Sequence, residues 1–233
     1  IENYLKEKLI PYKFYESNEL LKISAKYLSE GKILGWFQGR MEYGPRALGN
    51  RTITGDPRLK NMQKDMNLKI KNRESFRPFA PAILDGFQKE YFNIENESPY
   101  MLLTRKISEK FQNKTTSKFN GLNKVNEIRS SVPAITHVDM SCRVQTVSKE
   151  RNPIFYGLLK EFYDKTECPI LINTSFNIRG EPIVCTPEDA LRCFFNTNID
   201  VLCINNFLIL KDRANNSSTN LKDLFPEIYT ITD

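Results

Sequence analysis

In residues 71–81, KNRESFRPFAP, Lys71 and Arg73 lie two apart and Arg77 falls on the same parity. In an extended segment these three side chains share one face and converge on a single polyphosphate. Lysine supplies a mobile point charge and arginine a planar fork that takes two phosphate oxygens, a division of labour suited to a triphosphate. A solvated, charged strand edge is the competing reading of the same spacing. Asn173, Ser175 and Asn177 repeat the spacing of two at the end of the apolar run Pro169 to Asn173. Their hydroxyl and amide groups can bond phosphate oxygens or a planar amide without adding charge. The carboxyl end of a core strand is also where open α/β sheets bind ligands, although turn chemistry ahead of Gly180 explains the same string.

Arg46 and Arg51 belong to a glycine-punctuated stretch, GRMEYGPRALGNR, residues 39–51, and Arg143 sits between Cys142 and Val144. A half-buried guanidinium at position 143 needs an anion, an internal ion pair or several acceptors. Glu42 and Asp139 either answer these arginines or help to hold Mg²⁺ through water, and spacing does not separate the two roles. His137, the sole imidazole, lies in the stretch Ile135 to Asp139 and reads as a structural residue on a strand rather than a catalyst. No Ser-His-Asp or Cys-His arrangement is forced by spacing, and neither a GxGxxG nor a Walker loop is present, so hydrolase and dehydrogenase readings fall away.

The 233 residues carry 34 Lys and Arg against 28 Asp and Glu, a net charge of +6. Between Trp36 and Pro81 there are ten basic residues and four acidic ones, so the whole excess sits in one segment and the remainder is neutral. A localised excess of this kind points to an anion site, with phosphate the first candidate, rather than to a smeared basic coat. The five cysteines, Cys142, Cys168, Cys185, Cys193 and Cys203, form no C-x-x-C pair and mostly flank apolar residues. They read as buried free thiols, which argues for a reducing compartment and against zinc. No apolar run reaches the ~20 residues of a membrane span, and no signal pattern opens the chain, so a cytoplasmic location without membrane contact is expected.

These side chains need elements to hold them. Ser17 to Glu30 has the apolar spacing of an amphipathic helix, with Ser17 as N-cap, and Ile33 to Gln38 reads as a buried strand. Pro57 to Ile70 reads as helix, Phe79 to Leu84 as strand, and the polar stretch Glu109 to Lys124 as a surface loop. Ala134 to Asp139 and Arg143 to Val147 are the next ordered segments, followed by a helix from Pro153 to Lys165 and the strand Pro169 to Asn173. Thr186-Pro187-Glu188-Asp189 is a helix start with its own capping residues, and that helix runs to Asn196. Asp200 to Ile204 and Phe207 to Leu210 form a hairpin around Asn205-Asn206, and Asp212 to Asn220 reads as a tail. Alternating strands and helices without an internal repeat make this an α/β or α+β sheet domain.

Four segments in fixed order, GWFQGRMEYGPRALGNRTITGDPR (35–58), KNRESFRPFAPAIL (71–84), ITHVDMSCRVQTV (135–147) and NTSFNIRGEPIVCTPEDALRCFF (173–195), resemble the C-terminal domain of the O-carbamoyltransferases. That family modifies nodulation factors, aminoglycosides and cephalosporins. The resemblance spans residues 17–211 and implies a YrdC-like α/β fold, a twisted mixed sheet flanked by helices around a basic cavity. It also implies that the cavity binds ATP, with Mg²⁺, and carbamoyl phosphate, and forms a carbamoyl-adenylate with release of pyrophosphate. A separate N-terminal actin-like domain with a metal site then passes the carbamoyl group to a hydroxyl acceptor. The K-x-R and S-x-N signatures of YrdC-type proteins fall on Lys71/Arg73 and Ser175/Asn177. By this resemblance Lys71, Arg77 and Arg46 are catalytic candidates, and Arg73, Arg143, Asn173, Ser175 and Asn177 bind nucleotide and carbamoyl phosphate, with no metal ligand from this domain.

Residues 1–16 are then an extension or linker from the absent actin-like domain, and residues 212–233 a tail. Two departures bear on the reading. The family pattern H-V-D-G-S-A-R has Met140 and Cys142 here in place of its Gly and Ala, which puts local backbone and pocket size in question. Without the actin-like domain, only the activating half-reaction is expected of these residues. A YrdC-like nucleotide- or RNA-binding module without carbamoyl transfer is the alternative, and an inactive docking domain a third. Against RNA, the cations alternate with Gly and Pro in tight motifs and the rest of the chain is neutral. A homodimer is left open.

Overall fold

Short apolar and β-branched runs between glycines and prolines become strands here, and together they make one sheet. The computed structural model describes residues 1–113, 124, 125, 127–215 and 221–226. Among these the strands are β1 (Lys13–Phe14), β2 (Leu34–Phe37), β3 (Arg51–Thr54), β4 (Ala80–Leu84), β5 (Leu103–Lys106), β6 (Ser141–Val147), β7 (Ile170–Ser175), β8 (Val201–Ile204) and β9 (Phe207–Leu210). Their order across the sheet is β1-β9-β8-β2-β3-β7-β4-β6-β5. β2 runs parallel to β8 and β4 parallel to β6, while the other neighbours are antiparallel.

This mixed topology gives the sheet one end with a special composition. β7 lies between β3 and β4, with Ser175 opposite Thr52 and Asn173 opposite Ala80. The C-terminal end of β7 is therefore flanked by the N-terminal ends of β3 and β4. Because β6 is parallel to β4, its start at Ser141 reaches the same end. Four loops that enter or leave these strands meet there.

The helices are α1 (Glu2–Glu7), α2 (Ser17–Ser29), α3 (Met62–Lys69), α4 (Gln88–Phe92), α5 (Pro153–Thr166), α6 (Pro187–Phe195) and α7 (Lys211–Asn215). In α5 the apolar stripe Phe155, Leu158, Leu159 and Phe162 is fully buried, each side chain contributing roughly 1.5–3 kcal/mol. Asn152 caps α5 by accepting from Phe155 N, and α6 begins with the full capping box of Thr186 and Asp189. The fold is α/β, as the sequence pattern implies.

Several local expectations are corrected. Ser17 is the first residue of α2, with Glu16 at the N-cap and no side-chain cap bond. α3 begins at Met62 rather than Pro57, because the buried Asp56 carboxylate accepts from the backbone N–H and guanidinium of Arg58 and turns the chain there. Arg51 opens β3, a strand absent from the sequence reading along with β5, α1 and α4. Residues 133–135 form a 3₁₀ turn instead of a strand: Pro133 starts it, and the Thr136 hydroxyl closes it on Val132 O at 3.0 Å. The ends are also packed. Leu5 and Ile10 are buried, β1 pairs with β9, and Phe225 is buried against Phe195 with ring centroids 5.3 Å apart. Residues 114–123 of the polar stretch, and 216–220 and 227–233 of the expected tail, lie outside the described residues.

The glycine-punctuated loop is locked onto α5 at Gly49. This residue has φ +111°, and a Cβ there would stand 2.3 Å from the Phe155 ring. Gly49→Ala is expected to destabilise the fold by roughly 2–4 kcal/mol, from left-handed strain plus overpacking. Denaturant titration checks this, and a variant with an unchanged midpoint would refute it.

Candidate functional site

Two loops carry the cations to the end of β7, and each is held by buried polar groups. After α3 the chain turns back on itself at Asn72, whose φ is +46°, so Lys71 and Arg73 are not in an extended segment. Parity therefore does not align them. Lys71 turns inward and is buried; its Nζ donates to Ser175 O at 2.9 Å, Asn177 O at 2.8 Å and Asn177 Oδ1 at 2.8 Å. K-x-R and S-x-N are thus in direct contact. Arg73 lies over the Phe79 ring, 4.8 Å from its centroid, and its Nε donates to Asn67 Oδ1 at 2.5 Å.

The second loop, residues 39–50, is tied by Glu42, whose Oε1 accepts from the backbone N–H groups of Leu48, Asn50 and Arg51 at 2.7, 2.7 and 3.3 Å. That carboxylate organises the loop. Arg51 is likewise structural: buried, stacked 3.5 Å from the Phe37 ring centroid, it donates to the carbonyls of Gln38, Gly39, Asn50 and Cys185. Asn173 is nearly inaccessible and joins loop to sheet, donating to Ala47 O at 2.8 Å and Gln145 Oε1 at 2.6 Å while accepting from Thr52 Oγ1 at 3.0 Å. Its amide is fully engaged, so it positions the loop instead of offering free donors. Gln145 completes the tie through Leu48 O at 2.9 Å.

Between these loops lies a cavity of about 490 Å³ whose cationic lining is Arg46, Arg73, Arg77 and Arg143, with His137, Asn173 and Ser175. A smaller cavity of about 260 Å³ is lined by Lys71, Arg73, Glu74, Arg77, Ser175, Asn177 and Arg179. Arg73, Arg77 and Ser175 form the wall common to both. Among the described residues no ion pair engages Arg46, Arg73, Arg77 or Arg143. Arg143 has its Nε buried without a hydrogen-bond partner, and of its two expected partners Asp139 accepts from Ser141 N instead. Burial and the neighbouring Arg77 push Arg73 down to about 10, while burial and Arg46 lower Arg143. Glu74 opposes the shift of Arg73, yet guanidinium groups gathered without an ion pair among the described residues make a site for an anion.

The structure brings together the candidate cations of the sequence reading except Arg51: Lys71 and Arg73 face Ser175 and Asn177, and Arg46, Arg77 and Arg143 close the larger cavity. His137 lines that cavity from a turn, not a strand, and partial desolvation lowers its pKa with Asp139 opposing and Arg143 assisting. Sequence reasoning missed Arg179, Asn67, Thr52 and Gln145. A polar residue in a strand reads as facing water, which hid Gln145, and Thr52 was hidden because its strand went unread; an uncharged amide on the buried side of α3 was the available signal for Asn67.

The family model described as "Carbamoyltransferase C-terminus" matches residues 25–211. The chain belongs to that family. It is 51% identical over 91% of its length to an uncharacterised protein, sll1178, of Synechocystis, matching 35% of that protein. It is 38% identical over 85% of its length to nodulation protein NolO of Bradyrhizobium diazoefficiens, matching 34% of it. A 3'-hydroxymethylcephem-O-carbamoyltransferase of Amycolatopsis lactamdurans is 36% identical over 70% of this chain and 28% of its own. The chain thus spans about a third of the length of these carbamoyltransferase-family relatives. Among solved structures, full-length HypF in its phosphate- and nucleotide-bound form superposes with a TM-score of 0.53 at 19% identity, over 84% of this chain and 22% of that one. The likeness is one of fold, and the fold is YrdC-like.

Lys71 is the most perturbed of the site cations. Burial, then the Arg73 guanidinium, push its ammonium from 10.5 down to about 7, while its three short bonds to oxygen favour the charged form. The folded protein sheds this proton near neutrality, whereas the unfolded chain holds it to about pH 10. Between these values the unfolded chain binds more protons, so this group makes stability rise with pH. The difference in unfolding free energy between wild type and Lys71→Met is expected to shift in favour of wild type from pH 7 to pH 9. Parallel pH profiles in denaturant titrations would refute it.

Proposed function

We propose that this chain is the activating domain of a carbamoyltransferase: it binds ATP and carbamoyl phosphate in the paired cavities and forms a carbamoyl-adenylate. The observation that carries this reading is the convergence of Arg46, Arg73, Arg77 and Arg143, none of them in an ion pair among the described residues, beside the Lys71 to Ser175/Asn177 contact. Membership of the carbamoyltransferase family supports the carbamoyl chemistry. The likeness to HypF is one of fold alone.

In the proposed reaction, carbamoyl phosphate and water give carbamate and inorganic phosphate, and a carbamate oxygen then attacks the α-phosphorus of ATP. The bond from the α-phosphorus to the bridging oxygen breaks, and pyrophosphate leaves with that bond's electron pair. The protein's part is to hold both reactants in line and to neutralise charge as it moves onto the leaving group. Arg73 and Arg77, in the wall between the cavities, are placed to bridge the two reactants, and Lys71 anchors the β7 end around which they sit. A cation set without a nucleophile suffices for such a step.

Mg²⁺ would accompany the nucleotide. Among the described residues no group of three His, Cys, Asp or Glu side chains could hold a metal ion, and Glu74 is the carboxylate that lines the smaller cavity. The donor set therefore fits an ion held by phosphate oxygens and water, as Mg²⁺ commonly is. Tyr43, Phe76, Tyr100, Leu102 and Val138 are exposed, and each stands within two residues in sequence of a cavity-lining residue. We assign these exposed apolar side chains to contact with the N-terminal, actin-like region that accepts the activated carbamoyl group.

Calorimetric titration is expected to show ATP binding with Mg²⁺, and addition of carbamoyl phosphate to yield pyrophosphate in a coupled assay. Arg77→Ala and Arg143→Ala should each weaken ATP binding by about tenfold or more, the scale of one lost charge-assisted bond. Absence of ATP binding by the wild-type chain would overturn the reading.

A further inference from the structure

We infer that Asn67, which touches neither cavity, is the positioning residue that sets the Arg73 and Arg77 geometry and with it the anion affinity of the site. The inference rests on the reading of the cavities as a polyphosphate site. Asn67 lies on α3 between Met66 and Leu68 and is completely buried. Asparagine is a weak helix former and costs free energy when buried unless each polar atom is bonded. The same side of α3 otherwise carries Met62 and Met66, so packing alone calls for an apolar residue there.

All of its side-chain bonds go to the cation loop. Nδ2 donates to Ser75 O at 3.1 Å and to Arg77 O at 2.7 Å, and Oδ1 accepts from Arg73 Nε at 2.5 Å. Its backbone carbonyl accepts from Arg73 N at 3.2 Å. One residue thus fixes the start of the loop, its far end and the side chain between them. For Arg73 the constraint is directional: Asn67 occupies Nε on one edge, and Phe79 supports the guanidinium face. The Nη groups, on the other edge of the fork, are the ones left to bond an anion.

The chemistry also explains an amide rather than a carboxylate. A carboxylate would accept from Arg73 equally well, but it would cancel the charge the cavity needs, and it has no donor for the carbonyls of Ser75 and Arg77. The amide orients the arginine and leaves its charge to the ligand. Residues that orient ligand-binding groups from behind in this way govern affinity without contact.

The test uses inorganic tripolyphosphate as the probe, with affinity read by calorimetry, together with the ¹⁵N resonance of the Arg73 Nε–H. In wild type that proton should be slow to exchange, and in Asn67→Leu it should exchange as in a free arginine. Asn67→Leu, Asn67→Asp and Arg73→Ala should each weaken binding about tenfold. The Asn67→Leu/Arg73→Ala double variant should lose less than the product of the two single losses, because the residues act through one contact. A folded Asn67→Leu or Asn67→Asp protein that binds within twofold of wild type, or fully multiplicative losses, would overturn the inference. If neither variant folds, fast exchange of the Arg73 Nε–H in wild type overturns it and slow exchange upholds it. If wild type fails to bind tripolyphosphate, the polyphosphate reading falls, and the exchange rate still decides whether Asn67 restrains Arg73.

Discussion

Four guanidinium groups and one ammonium are drawn to one end of the sheet, and among the described residues no ion pair engages Arg46, Arg77 or Arg143 there. Held apart in water such groups would repel weakly, but here Arg73 and Lys71 are partly or wholly desolvated, and beside that burial Arg73 depresses the ionisation of Lys71, Arg77 that of Arg73 and Arg46 that of Arg143. The rest of the local structure follows from keeping them in place. A flexible loop would let the arginines splay into solvent and relieve the repulsion, so both loops are tied by bonds that do not depend on a ligand. Glu42 gathers three backbone N–H groups, Asn173 and Gln145 pin the first loop to the sheet, and Asn67 pins the second to α3.

Sheet topology makes this arrangement compact. With β7 between two antiparallel neighbours, the C-terminal residues of one strand and the N-terminal residues of β3, β4 and β6 share an end. Asn173, Ser175, Ala80, Thr52 and Ser141 therefore come together although they belong to segments far apart in the chain. A purely parallel sheet would gather carboxyl ends alone. The mixed sheet places backbone carbonyls from the end of β7, where Lys71 binds, beside the start of β6, which contributes Arg143.

Much of this was legible from residue types alone. The charge excess between Trp36 and Pro81, the capping sequence at Thr186, the Asn205-Asn206 hairpin and the stripe of α5 each rest on local chemistry, and each is realised. What the sequence hid depends on tertiary partners. β3 reads as the tail of a glycine loop because Arg51 begins it, and that arginine is tolerated in a buried strand through four carbonyl acceptors, those of Gln38, Gly39, Cys185 and the adjacent Asn50. Lys71 and Arg73 look like a strand face; the left-handed Asn72 between them separates their roles, one pointing inward to Ser175 and Asn177, the other across Phe79. Asn173 has the right position for a ligand group and is instead consumed by Ala47, Gln145 and Thr52.

The turn beside His137 shows how far such constraints reach. Met140 has φ +67°, a conformation that suits the glycine of the family pattern, and its N–H bonds His137 O while its carbonyl accepts from Ile107 N. A methionine in that conformation costs on the order of 1 kcal/mol or more of backbone strain, yet the turn is kept, because it ends where β6 begins and so sets the height at which Arg143 enters the cavity. Cys142, at the position of the family's alanine, is fully buried away from the cavity lining and so does not narrow it. The substitution that strains the backbone and the one that fills the core therefore both leave the arginine in register, and it is the register of that strand, rather than the identity of the turn residue, that the cation cluster requires.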